Sequence, residues 1–202
     1  MAAIRGVTIA MAMCLAMFGA RQGLAADRNG DYVVKGAGYE SCGSFLASLK
    51  ARDAKQIAFR GWINGYLTAY DLMAPNTYDV APLHGIDGLV LLVSRLCEQQ
   101  KPETKFAVVV GSLPKLLAAY VLTAKSPPVA ATANGKTIRL PIELLRRAQA
   151  KLQVMHLYDG GPDGQFGPGT QAAISKYQKS KGLEATGLPD PGTLLRLLGE
   201  KV

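Results

Sequence analysis

Residues 158 to 170, YDGGPDGQFGPGT, place five glycines, two prolines and two aspartates in thirteen positions. No regular helix or strand runs through such a stretch. Glycine costs a helix about 1 kcal/mol per residue relative to alanine, and proline lacks the amide that a hydrogen-bond ladder needs. The chain around it is therefore cut into short elements. Its last four residues, Gly167-Pro168-Gly169-Thr170, read as a helix start, with proline at the first helical position, where its missing amide costs nothing. Ala173, Ile174 and Tyr177 supply the apolar face that follows. The same start recurs as Asp190-Pro191-Gly192-Thr193, followed by Leu194, Leu195, Leu197 and Leu198. Ahead of the loop, Leu145, Ala148, Leu152 and Met155 make another stripe at helical spacing. The pattern predicts three short helices joined by turns.

Two familiar chemistries of glycine-rich loops fail on residue type. A phosphate-binding loop ends Gly-Lys-Ser/Thr between a strand and a helix, whereas no lysine follows these glycines and the preceding residues read as helix. A calcium loop starting at Asp159 puts Asp163 and Gly164 at positions five and six. It also puts Gly161 at position three and Thr170 where a bidentate glutamate belongs. The glycines read as backbone architecture, with Asp163 fixing the turn by accepting amides and Phe166 plugging the core.

The rest of the chain reads as a leader, a helical block and a linker. Arg5, an apolar run from Val7 to Phe18 and Gly23-Leu24-Ala25-Ala26 have the layout of a signal peptide over residues 1 to 26. The run is short of the roughly 20 residues that span a bilayer, so no stable membrane span is expected after cleavage. Cleavage removes Cys14 and leaves Cys42 and Cys97, an even pair that in an exported chain reads as a disulfide; two buried free thiols are the alternative. Within residues 27 to 124, three stripes recur at three and four. The first runs Phe59, Trp62, Ile63, Tyr66, Leu67, Tyr70; the second includes Leu89, Val90, Val93 and Cys97; the third runs from Phe106 to Tyr120. Pro114 divides or kinks the last, and a shorter helix is expected from near Cys42 to Lys50. Gly61 and Gly65 are read as the place where a neighbouring helix approaches closely. Residues 125 to 137, KSPPVAATANGKT, read as a linker building neither helix nor strand, and residues 138 to 202 as the second domain. The expected fold is all-α: a disulfide-linked four-helix domain followed by a three-helix module.

A formal net charge of +8 points to anionic surfaces such as cell-wall carboxylates or phospholipid. Without an arginine-rich run or interleaved aromatic platform, nucleic acid is not the expected partner.

The array Leu145, Gln149, Leu152, Tyr158-Asp159-Gly160, Asp163-Gly164, Phe166-Gly167, Thr170, Ala173, Tyr177-Gln178, Gly182-Leu183, Gly187 and Thr193 resembles the bacterial peptidoglycan-binding domain over roughly residues 140 to 199. Met155-His156-Leu157 and Tyr177 depart from the usual pattern. The resemblance implies noncovalent attachment to peptidoglycan, a ligand of flat sugars and carboxylate-bearing peptides. Tyrosine faces stack on sugars and basic side chains meet carboxylates. The candidate contacts are Tyr158 and Gln165 on the loop with Arg146, Arg147 and Lys151 on the helix before it; Asp163, Gly164, Phe166, Gly167 and Thr170 are the structural loop. The three basic residues read equally as a solvated face. Ser41-Cys42-Gly43, Gly61-Trp62-Ile63-Asn64-Gly65-Tyr66-Leu67 and Leu96-Cys97 resemble, over residues 38 to 122, the small helical periplasmic group of HdeA-like acid-stress chaperones and secretion-system immunity proteins. That resemblance implies a protein partner.

Catalytic sets do not assemble. His84 and His156 lie in different blocks, short of the three protein ligands a zinc hydrolase needs. A paired cysteine is no nucleophile. Glu40, Glu98 and Glu103 leave a lytic glycosidase as the alternative. The reading is a noncatalytic periplasmic protein, associated with the cell wall, without cofactor or metal. It binds peptidoglycan by its C-terminal module and a protein by its helical block. The alternative is a peptidoglycan hydrolase with its active site in the N-terminal domain.

Overall fold

The computed structural model describes residues 31 to 200 apart from His84. The leader at residues 1 to 26, Cys14 and His84 lie outside the described residues. A 3-10 turn at Gly36–Tyr39 leads into α1 (Cys42–Ala51), α2 (Lys55–Met73), α3 (Ile86–Glu98), α4 (Phe106–Gly111) and α5 (Leu113–Leu116), closed by a second 3-10 turn at Ala118–Tyr120. Ser41 caps α1 by accepting the Ser44 amide at 3.1 Å, and Arg52 ends it in the left-handed region at φ 53°. Pro114 falls in the first turn of α5 and splits the third apolar stripe into two short helices.

Cys42 and Cys97 are bonded, tying α1 to α3 with their Cα atoms 5.2 Å apart. Closing a loop of 55 residues removes unfolded-state entropy worth about 4 kcal/mol. Beside the bond, Phe45, Phe59 and Phe106 form a triangle with centroids 4.8 to 5.1 Å apart, all but inaccessible to solvent. Trp62 roofs the triangle edge-on to Phe106, stacks on Tyr66, and donates its indole N–H to the Lys35 carbonyl at 2.9 Å.

One expectation about α2 fails. A Cβ at Gly61 or Gly65 would meet nothing within 4 Å among the described residues. The helix packs by Phe59, Ile63 and Leu67 instead and turns its glycines outward.

The stretch expected to build neither helix nor strand also departs from its reading. Pro128–Ala133 and Lys136–Pro141 are β1 and β2, an antiparallel hairpin in which Ala133 faces Lys136 and Ala131 faces Ile138. Asn134 and Gly135 turn the corner with φ 52° and 72°, the pair of positive angles that a two-residue hairpin of type I′ demands. Ala131, Ala133 and Leu140 are buried, in one core with Leu145, Leu152, Ile174, Tyr177 and Leu194. Among the described residues the molecule is thus mostly helical, roughly the all-α fold expected, with one small two-stranded sheet added.

After the hairpin come α6 (Ile142–Val154), α7 (Pro168–Ser180) and α8 (Pro191–Gly199), with proline opening both α7 and α8. From Val34 on the chain is one compact unit. Leu195 and Leu198 of α8 pack against the core of the helical block. The Tyr120 hydroxyl, its pKa pushed up to about 12 by burial, donates to the Leu195 carbonyl, and Arg147 Nη1 donates to the Val121 carbonyl at 3.0 Å.

Candidate functional site

The long loop hangs on one side chain. Gln149 of α6 is fully buried, and its Oε1 accepts the Gly164 amide at 2.7 Å. Its Nε2 lies 3.0 Å from Asp163 Oδ1, 3.0 Å from the Gln165 carbonyl and 3.1 Å from Thr170 Oγ1. An amide has two N–H groups, so these acceptors share them. Asp163 Oδ1 also accepts the Gln165 amide at 2.8 Å. That bond, the one from Gln149 and the nearby Arg146 guanidinium hold the Asp163 carboxyl below its ordinary range. Gln153, one turn further along α6, donates to the Gly160 carbonyl at 2.7 Å. Phe166 packs half-buried against the core.

A second loop is held the same way. Gln178 of α7 is fully buried; its Oε1 accepts the Gly187 amide at 2.7 Å, and its Nε2 reaches Thr193 Oγ1 at 2.9 Å, Thr186 Oγ1 at 3.0 Å and the Leu188 carbonyl at 3.1 Å. Asp190 caps α8, accepting from the Thr193 amide at 2.9 Å and the Thr193 hydroxyl at 2.7 Å.

The five residues assigned to ligand contact do not share a face. Arg146 is exposed and donates to the Asp163 carbonyl at 3.2 Å, which places it against the loop. Gln165 is exposed on that loop. Tyr158 is half-buried there, and its hydroxyl lies 3.5 Å from Gln149 Nε2 and 3.3 Å from the Gly161 carbonyl. Arg147 instead bonds Glu143 at 3.1 Å and the Val121 carbonyl, at the seam with the helical block. A helix turns about 100° per residue, so Lys151 falls on the Arg147 side of α6 while Arg146, Gln149 and Gln153 face the loop. The structure brings together Arg146, Tyr158 and Gln165, while Arg147 meets Arg146 only on the seam side of α6 and Lys151 lies on the Arg147 side.

A cleft lies elsewhere on this part of the molecule, with a volume of about 640 Å³ between β2 and the second loop. Lys136, Thr137 and Ile138 form one wall and Leu183 to Thr193 the other. Asn134 Nδ2 donates to the Thr186 carbonyl at 3.2 Å, fastening the hairpin tip to the loop. Lys136 and Thr137 fall at the end of the stretch expected to be a linker, which hid the hairpin wall from the sequence. The signal was present in Asn134-Gly135, flanked by Ile138 and Leu140 alternating with polar neighbours. A second cleft of about 260 Å³ at the seam is lined in part by Arg146, Arg147 and Glu143.

Among the described residues no group of three or more His, Cys, Asp and Glu could hold a metal ion, and no helix is long and apolar enough to cross a membrane. No curated protein and no solved structure matches the chain. The HdeA-like resemblance of the helical block therefore gains no support. Residues 143 to 197 match the family model of the peptidoglycan binding domain, a segment that begins on α6 and ends on α8. The match supports a peptidoglycan-binding domain in the C-terminal part of the chain, with peptidoglycan as the partner.

Proposed function

We propose that the protein is an exported, noncatalytic periplasmic protein that holds a protein partner at the cell wall. The match of residues 143 to 197 to a peptidoglycan binding domain carries this reading. Arg146, Tyr158 and Gln165 are the loop-side contacts it retains from the sequence. A partner for the helical block is supported by the outer face of α2, where Ile57 and Leu72 are 75% and 85% exposed beside the outward glycines. A chaperone-like or immunity-like role is the form that partnership takes in this reading. Glu40, Glu98 and Glu103, the carboxylates a hydrolase in the helical block would draw on, are all exposed and line neither of the two clefts described above.

The test is incubation of the purified mature chain with isolated sacculi. The protein is expected in the pellet, with no soluble muropeptides in the supernatant. Muropeptide release that disappears in Glu40→Gln would replace this reading with a hydrolase. Protein left wholly in the supernatant would remove wall attachment itself.

A further inference from the structure

The cleft between β2 and the second loop has walls of opposite charge, an apolar lining and a strand edge, and most of one wall lies outside the segment matched by the family model. We propose that this cleft takes the short peptide stem of peptidoglycan, with Lys136 meeting a stem carboxylate and Glu184 a free stem amine. The inference rests on the wall-binding reading and adds where on the surface, and by which part of the polymer, the contact is made.

Four observations point to the peptide rather than the sugar. First, the cleft is lined by Ile138, Leu183 and Leu188 but by no aromatic ring. Sugar recognition by stacking needs such a face, whereas methyl side chains of alanyl residues need only an apolar lining. Second, the exposed Lys136 stands on the hairpin wall and the exposed Glu184 on the loop wall, with the capping carboxylate Asp190 behind it. A peptide carrying both a carboxylate and an amine complements that arrangement, whereas the disaccharide, whose amines are acetylated, offers no cation for Glu184.

Third, the hairpin register leaves backbone groups available. In a two-residue hairpin the pair next to the turn, Ala133 and Lys136, exchanges hydrogen bonds, and the next pair, Thr132 and Thr137, does not. The Thr137 N–H and C=O therefore point away from β1, and Thr137 lines the cleft. A strand edge of that kind binds an extended peptide by main-chain hydrogen bonds. Fourth, the walls are fixed before any ligand arrives. Asn134 ties the hairpin tip to Thr186, Ala131 and Ala133 are buried in the core, and Gln178 holds Gly187. The volume of about 640 Å³ falls within the range of sites that enclose small ligands.

The experiment follows backbone amide shifts of the full mature chain by NMR during three titrations. The probes are a synthetic stem tetrapeptide with a free diamino-acid side chain, the same peptide with that amine acetylated, and a peptide-free disaccharide. The free peptide is expected to shift residues 136 to 138 and 183 to 193. Its affinity should fall about tenfold on acetylation, and about tenfold in Lys136→Glu, an exposed position whose substitution leaves the core intact. The inference is overturned if the peptide shifts residues 158 to 170 instead or shifts nothing. It is equally overturned if the disaccharide produces the shifts at the cleft, or if both changes leave the peptide's affinity unaltered. Sedimentation with sacculi separates the two levels. Wild-type protein that pellets while the stem peptide leaves the cleft unmoved sinks this site alone. Protein that does not pellet sinks the wall-binding reading and this site with it.

Discussion

The loop after α6 and the loop after α7 share a plan and differ in where the carboxylate stands. In each, a buried glutamine accepts one glycine amide at 2.7 Å and gathers the oxygens around it, and in each a threonine stands six residues beyond that glycine. The first loop travels fifteen residues from glutamine to glycine and the second only nine. In the first, the acid precedes the glycine as Asp163, and the helix cap is Gly167, which has no side chain to offer. In the second, Thr186 precedes the glycine and the acid has moved to the cap, as Asp190. The cap position closes the second loop against its helix, leaving Gly187, Leu188 and Pro189 buried. The early position pins a longer excursion from within and leaves Asp159, Gly161, Pro162 and Gln165 exposed. One hub thus supports either a tight corner or an exposed platform, according to which residue bears the charge.

The sharpest way to break the comparison is to remove the hubs. Gln178→Ala strands the Gly187 amide and several buried oxygens, and should cost at least about 4 kcal/mol. Gln149→Ala should cost about 3 kcal/mol, because the more exposed loop around it admits water more easily. Urea midpoints of the mature chain would measure both, and an inverted order would mean that the longer loop is the stiffer.

Next in size are the glycines. Gly164 has φ 76°, and a Cβ there would lie 2.5 Å from Ile142 Cγ1 and 3.1 Å from the Ile142 carbonyl. Gly187 has φ 69°, and a Cβ there would lie 2.7 Å from Gln171 Cγ and 3.1 Å from the Gln171 carbonyl. Left-handed backbone costs about 1 kcal/mol for alanine, and crowding adds about 1 to 2 kcal/mol. Gly164→Ala should therefore cost about 3 kcal/mol and Gly187→Ala about 2 kcal/mol by thermal unfolding.

Moving the cap sharpens the comparison directly. Asp190→Ala should lose about 1 kcal/mol of stability, whereas Gly167→Asp should gain a few tenths. Position 167 is extended and open, with nothing within 4 Å of a built Cβ.

The smallest effect is a pH dependence peculiar to the first loop. Asp163 is held below its ordinary value of 3.8, so its contribution is complete above that pH and is lost as pH falls through the lower folded value. Asp163→Asn should flatten that acid limb in unfolding measured from pH 5 downward. An unchanged limb would show that Asp163 contributes no linkage.

What the sequence made legible follows from where its signals are local. Helix starts at Pro168 and Pro191, the division at Pro114 and the Cys42–Cys97 pair are set by residues whose backbone or bonding leaves few choices. The glycines of α2 were misread because spacing does not tell an inward face from an outward one. The hairpin was misread because two adjacent prolines and a run of small residues outweighed Asn134-Gly135. Alanine buried against a neighbouring core has too little apolar area to announce itself.

The bonds from Tyr120 to Leu195 and from Arg147 to Val121 also have a mechanical meaning. They join α8 and α6, the two ends of the segment that matches the peptidoglycan binding domain, to the last residues of the helical block. A pull applied through the wall reaches that block directly, without first drawing a slack segment taut. The protein is therefore built as a bracket with a fixed angle. Under the proposed function, a partner of the helical block would be held in a set orientation to the sacculus, at a standoff measured by folded structure.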